Sequence, residues 1–203
     1  GITMTARELL LYISHRHGGE WTAMMRAIKA KETVSSQEVT DFASTHKRNY
    51  ITLLDPEYPE SLKEIVQPPL VLYYKGNLDL IRDMNRSVTL VGSRDCTSYG
   101  LARSREIAEG LAQKGVTVVS GLAKGIDAAA IKGAVDRGKA VGVLGNGLDY
   151  YYPAETRLLQ EEVAEKGLLL SEYPDGVKPE KRHFPDRNRI LAGLSCLTLL
   201  GGS

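Results

Sequence analysis

Twelve residues near the C-terminal end carry the densest chemistry in the chain. Lys178-Pro179-Glu180-Lys181-Arg182-His183-Phe184-Pro185-Asp186-Arg187-Asn188-Arg189 holds five lysines and arginines, one histidine and two acids. A phenylalanine sits among the cations. Cationic side chains that follow a phosphate backbone, beside an aromatic ring on which a base can lie, make a recipe for binding single-stranded nucleic acid. The stacking tolerates any base, and the phosphate contacts weaken with salt. Two blander readings stand beside this one. Phe184 can tuck into a core under a solvated loop, and Arg187-Asn188-Arg189 can form a structural cap at a helix start.

Four more turns carry chemistry. They read Gly92-Ser93-Arg94, Ser120-Gly121-Leu122-Ala123-Lys124-Gly125-Ile126-Asp127, Gly145-Asn146-Gly147-Leu148-Asp149 and Ser171-Glu172-Tyr173-Pro174. The third runs on into Tyr150, Tyr151, Tyr152 and Pro153. Glycine lets a backbone approach a ligand closely. Gly92, Gly121, Gly125, Gly145 and Gly147 are the candidates for that role, with Arg94 and Lys124 as cations. Ser93 and Asn146 are assigned to the same site. Together the turns favour an anion groove.

Familiar phosphate motifs do not fit. Gly121 to Lys124 lacks the G-x-x-x-x-G-K-[ST] spacing, and Gly92-Ser93-Arg94 does not continue as G-x-G-x-x-G. No nucleotide, dinucleotide or metal cofactor is expected. Asp127, Asp149 and Glu172 have no histidine in the same turns, and Ser120 and Ser171 have no base nearby in sequence. His183 is expected to face phosphate rather than to act as a base. His15 and His17 read as solvent-facing, and His46 stands alone.

The elements that must position these turns are legible from periodicity. Apolar runs predict strands over 88–91, 116–119, 140–144, 168–170 and 197–200. Helical patterns fill 98–113, 126–136, 155–164 and 188–194. Short continuous apolar strands between amphipathic helices call for a parallel sheet covered on both faces. Right-handed crossovers then make it a doubly wound, Rossmann-like α/β fold, with ligands at the carboxyl ends of the strands. A lead-in with strands near 50–54 and 70–74 extends that sheet. Residues 1–46 read as a small helical N-terminal domain and 47–203 as the main domain. Thr5 with Glu8, and Ser35 with Glu38, fit capping boxes.

Composition sets the outer limits. A net charge of +1, 42% hydrophobic and 25% charged residues describe an ordinary globular chain, so any basic site must be local. Cys96 and Cys196 read as buried thiols in a reducing cytoplasm, not as a disulfide or zinc site. No apolar run is long enough for a membrane span. The chain opens on Gly1 and closes on Gly201-Gly202-Ser203, which suggests part of a longer protein.

Taken together, these motifs resemble the DNA-processing protein A family (DprA/Smf) of bacterial recombination mediators. The resemblance covers roughly 50–200 and includes Phe184-Pro185-Asp186-Arg187-Asn188-Arg189 and Leu144-Gly145-Asn146-Gly147-Leu148-Asp149 with Tyr152-Pro153. It implies an extended Rossmann-like domain that binds single-stranded DNA, helps load the RecA recombinase in natural transformation, forms homodimers and is not an enzyme. By the same resemblance, Arg94 and Lys181 hold phosphates, Phe184 contacts a base, and Arg187 and Asn188 line the pocket. The helical N-terminal region is similar in kind to the SAM-like domain that some members carry. Ile131 departs from the family pattern, which usually has histidine there. The pattern also continues beyond 200, so one side of the pocket and much of the dimer surface are expected to lie outside this chain. The rival from another class is a nucleotide or nucleoside-monophosphate hydrolase on the same fold, using Glu172 or Asp127 on a ribose.

Overall fold

A computed structural model describes residues 3–92, 98–123, 125–195 and 197–201. In chain order the elements are α1 (Ala6–Arg16), α2 (Trp21–Lys29), α3 (Ser36–Thr45), β1 (Tyr50–Thr52), α4 (Glu60–Lys63), β2 (Val71–Gly76), β3 (Ser87–Gly92), α5 (Ser98–Gln113), β4 (Thr117–Ser120), α6 (Ile126–Val135), β5 (Ala140–Val143), α7 (Arg157–Lys166), β6 (Leu168–Ser171), α8 (His183–Gly193) and β7 (Leu197–Gly201). The strands form one sheet in the order β1-β2-β6-β5-β4-β3-β7.

From β6 to β7 the sheet is parallel, with Val118 opposite Ala140 and Val88 opposite both Val118 and Leu197. The β1–β2 and β2–β6 pairs are antiparallel, so the expected parallel sheet is mixed at one edge. The β2–β6 pair is antiparallel, so the handedness rule for parallel crossover units does not constrain it.

The short apolar runs become strands because both faces are covered. Every residue of β4, β5 and β6 is buried. Successive side chains point to opposite faces. Val118, Ala140 and Leu169 share a core with Ala108 and Ala112 of α5, Ala130 and Ile131 of α6, and Val163 of α7. Val119, Val141, Leu168 and Leu170 meet Ile190 and Leu191 of α8 and Leu62 of α4. The chain steps outward from β3 to β6, then α8 returns across the other face and delivers β7 to the far side of β3. The carboxyl ends of β3 and β7 thus flank the topological switch point, where ligands bind in open α/β sheets.

The N-terminal helices pack on the same core. Leu11, Ile13, Met24 and Ala27 join Val71 and Tyr73 of β2. The Ser14 hydroxyl and the Tyr73 phenol are 2.7 Å apart, and the Trp21 indole donates to the Pro68 carbonyl at 2.9 Å. Thr5 and Glu8 form the complete capping box. At α3 only half forms: Ser35 accepts from the Glu38 amide, while the Glu38 carboxylate accepts from Tyr12 instead. Helix α8 begins ahead of the predicted 188–194. Pro185 falls in its first turn, where backbone N–H groups have no intrahelical partner to lose. Cys96 and Cys196 lie outside the described residues. Among the described residues, no helix is long and apolar enough to cross a membrane.

Candidate nucleic-acid interface

The turn after β5 and the segment after β6 are laced together at the carboxyl rim. Asn146 is buried, and its amide nitrogen donates to the Gly147 carbonyl at 2.9 Å and to the Tyr150 carbonyl at 3.0 Å. Its Oδ1 is buried with no hydrogen-bond partner among the described residues, an arrangement that calls for a donor. Ser171 donates its hydroxyl to the Asn146 carbonyl at 2.7 Å, and the Asp149 carboxylate accepts from the Gly176 amide at 3.0 Å. The glycines here admit the protein's own rim. A Cβ on Gly147 would lie 2.5 Å from the Pro174 carbonyl oxygen, and one on Gly145 would lie 3.2 Å from the Phe184 ring.

Helix α8 turns one face inward, burying His183, Arg187, Ile190 and Leu191 at helical spacing. Arg187 points inward and is only 6% exposed. Its guanidinium donates to the Gly121 carbonyl at 2.8 Å, the Val143 carbonyl at 2.9 Å and the Asn188 side-chain oxygen at 3.1 Å. It therefore ties the ends of β4 and β5 to α8. A Cβ on Gly121 would come within 2.6 Å of the guanidinium carbon, so a side chain here would have to displace the guanidinium from its carbonyl partners.

Arg189 has a partner that its place in a basic loop does not announce. It grips Glu172 with two hydrogen bonds of 2.6 and 2.7 Å, and also donates to the Gln67 and Asp186 carbonyls. The pair is interior, with the side chains 18% and 5% exposed for Arg189 and Glu172. Burial pushes the Glu172 carboxyl up from the usual range, with the Arg189 guanidinium pulling against it.

His183 does not face phosphate, contrary to expectation. It is fully buried, with Nδ1 2.9 Å from the Gly145 carbonyl, Nε2 3.1 Å from the Glu20 carboxylate, and its ring stacked on Tyr173 at a centroid distance of 4.1 Å. The early start of α8 turns this side chain under the helix. His17 is likewise committed, to Glu32 at 3.0 Å.

What remains outward is a short row. Lys181 is exposed and makes no ion pair among the described residues, and Asn188 is exposed on the next turn. Phe184 is half-buried, with the Tyr152 ring 5.5 Å away and the Arg187 guanidinium 5.5 Å from its ring centroid. Tyr152 is 39% exposed. Sequence reasoning did not single it out as a site residue; the triple tyrosine after a glycine turn was the available signal. Nothing local flagged Glu20. Gly92 ends β3 opposite Gly201 of β7, and Gly125 opens α6 with φ of 79°. Ser93, Arg94 and Lys124 lie outside the described residues.

Residues 49–200 match the profile of DNA recombination-mediator protein A. The chain belongs to that family. It is 47% identical over 154 residues to protein Smf of Synechocystis sp., covering 74% of this chain and 39% of that protein. It is 42% identical over 172 residues to DNA processing protein DprA of Streptococcus pneumoniae, covering 84% and 58%. The chain thus spans between 39% and 58% of the length of these two relatives. The X-ray structure of the S. pneumoniae protein superposes with a TM-score of 0.73 at 32% identity, covering 98% of this chain and 73% of that one. DNA processing protein A from Helicobacter pylori gives a TM-score of 0.67 at 32% identity, covering 75% and 69%; its structure is described for a single-stranded DNA binding mode.

Proposed function

We propose that this chain binds single-stranded DNA along the carboxyl rim of its sheet and serves a recombination mediator that passes the strand to the RecA recombinase. One observation carries the reading: exposed Lys181, without an ion pair among the described residues, stands three residues before Phe184, whose ring adjoins that of Tyr152, with Asn188 exposed one turn further on. Lys181 holds a phosphate. Phe184 and Tyr152 offer faces for bases, and Asn188 supplies a polar edge. Arg187, Arg189 and Asn146 hold the backbone beneath them. Arg94, Ser93 and Lys124 are assigned to the same path by the family resemblance. The single-stranded DNA binding mode described for the H. pylori relative supports the ligand class. Homodimer formation and the contact with the recombinase are proposed with this function, on the family resemblance alone.

The hydrolase reading has less support. It needs Glu172 or Asp127 to face a ribose; Glu172 is buried against Arg189, and Asp127 is 7% exposed.

Fluorescence anisotropy with labelled oligo(dT) tests the proposal. Lys181→Ala is expected to flatten the log–log salt dependence by about 0.7 per lost phosphate contact. Phe184→Ala is expected to cost roughly 1–3 kcal/mol of binding. An unchanged salt slope together with normal binding by the phenylalanine variant would remove the site.

A further inference from the structure

The N-terminal helices reach the rim at one turn. Gly18 and Gly19 join α1 to α2 with φ of 60° and 72°. A Cβ on Gly19 would lie 2.4 Å from the Glu172 carbonyl oxygen and 2.9 Å from Pro174, so the turn is seated on the segment leaving β6. Glu20 follows at the N-cap of α2, yet its side chain makes no capping bond to that helix. The carboxylate instead meets Arg182 at 3.0 Å and His183 at 3.1 Å.

Both ring nitrogens of His183 face acceptors, the Gly145 carbonyl on one side and Glu20 on the other. A neutral imidazole has a single N–H and can serve only one of them. The second hydrogen bond exists only when the Glu20–His183 pair holds an extra proton. His183 is joined directly to Phe184 and stands two residues from Lys181, in the first turn of α8.

We infer that Glu20 and His183 are positioning residues for the single-strand site: their proton-bridged contact anchors the start of α8, and with it Lys181 and Phe184, to the N-terminal helices. The inference rests on the function proposed above. Binding weakens as that proton leaves. The charged and titratable groups facing the pair are Arg182 and Glu180 ahead of α8, Tyr173 after β6, and the buried Glu172–Arg189 pair beside it. Arginine keeps its charge throughout the working range. Burial pushes the Tyr173 hydroxyl far up. A Glu20→Gln variant leaves Glu172 and every other histidine in place, so a difference from it isolates the pair.

Glutamine separates geometry from the proton. Arg182 and His183 meet the same Glu20 oxygen, so a glutamine that turns its amide nitrogen to a neutral ring keeps the His183 contact and gives up only the contact to the largely exposed Arg182. Oligo(dT) anisotropy at constant ionic strength, at about pH 6 and about pH 8, spans the range where imidazoles change charge. The unsubstituted protein is expected to lose about five- to tenfold in affinity over that span, the worth of one hydrogen bond. Glu20→Gln is expected to bind alike at both pH values, near the tighter level. Glu20→Ala is expected to bind weakly at both; should it not fold by circular dichroism, Glu20→Gln alone decides. Binding by the unsubstituted protein with the same pH profile as Glu20→Gln overturns the positioning role alone. No binding by any variant at low salt refutes the single-strand reading itself.

Discussion

Breaking the Glu172–Arg189 pair from one side is the sharpest test of how the rim is held. Arg189→Met deletes the guanidinium and leaves the Glu172 carboxyl, 5% exposed, without the two bonds of 2.6 and 2.7 Å that compensate its burial. Orphaning one member of a buried pair costs about 3–5 kcal/mol. At roughly 2–4 °C per kcal/mol for a chain of this size, thermal unfolding should move down by about 6–20 °C. The loss carries a pH signature. Burial already pushes the Glu172 carboxyl up, and Arg189 supplies the opposing pull that the variant loses. A carboxyl raised in the folded state takes up a proton more readily there than in the unfolded chain. Its stabilising effect is complete below the unfolded value and is lost as pH rises through the folded one. The variant should therefore be least impaired in acid, with the deficit growing by up to about 1.4 kcal/mol per pH unit until the carboxyl ionises in the folded protein. Urea unfolding between about pH 4 and about pH 8 measures this directly, since the window brackets ordinary and raised carboxyl values. The double variant Glu172→Gln/Arg189→Met removes both charges and should recover most of the loss. Effects that simply add in the double variant, or a deficit independent of pH, would refute the interior pairing. The salt slope of DNA binding should stay that of the unsubstituted protein in Arg189→Met, because this charge answers Glu172 and not a phosphate.

Two further outcomes follow from close contacts. Gly121→Ala places a methyl 2.6 Å from the Arg187 guanidinium and should cost about 1–3 kcal/mol by overpacking, more than Gly145→Ala, whose methyl meets a ring edge at 3.2 Å; urea midpoints rank the two. Ser14→Ala removes the partner of the buried Tyr73 hydroxyl and should cost about 1–3 kcal/mol in the same assay, with no change in the salt slope of DNA binding.

Much of the architecture is legible without coordinates, since apolar runs at 116–119, 140–144 and 168–170 admit few arrangements other than strands buried on both faces. The site is legible in part. Lys181 and Phe184 stand out because exposed cations beside an aromatic are conspicuous in any fold. The roles of Arg187, Arg189 and His183 are not, because charge and residue type look the same whether a side chain points out of a helix or under it. The starting residue of α8 decides that direction, and Pro185 in its first turn left the start ambiguous.

Local spacing by itself determined the order of elements, the Thr5–Glu8 cap and the clustering of glycine turns at one edge of the sheet, since each depends on residues a few positions apart. Only the tertiary structure decided that Arg189 answers Glu172 and that His183 meets Glu20, 163 residues away in sequence. A buried charge selects its partner by proximity in the folded interior, where water no longer competes, and no short-range pattern records which distant carboxylate will be there.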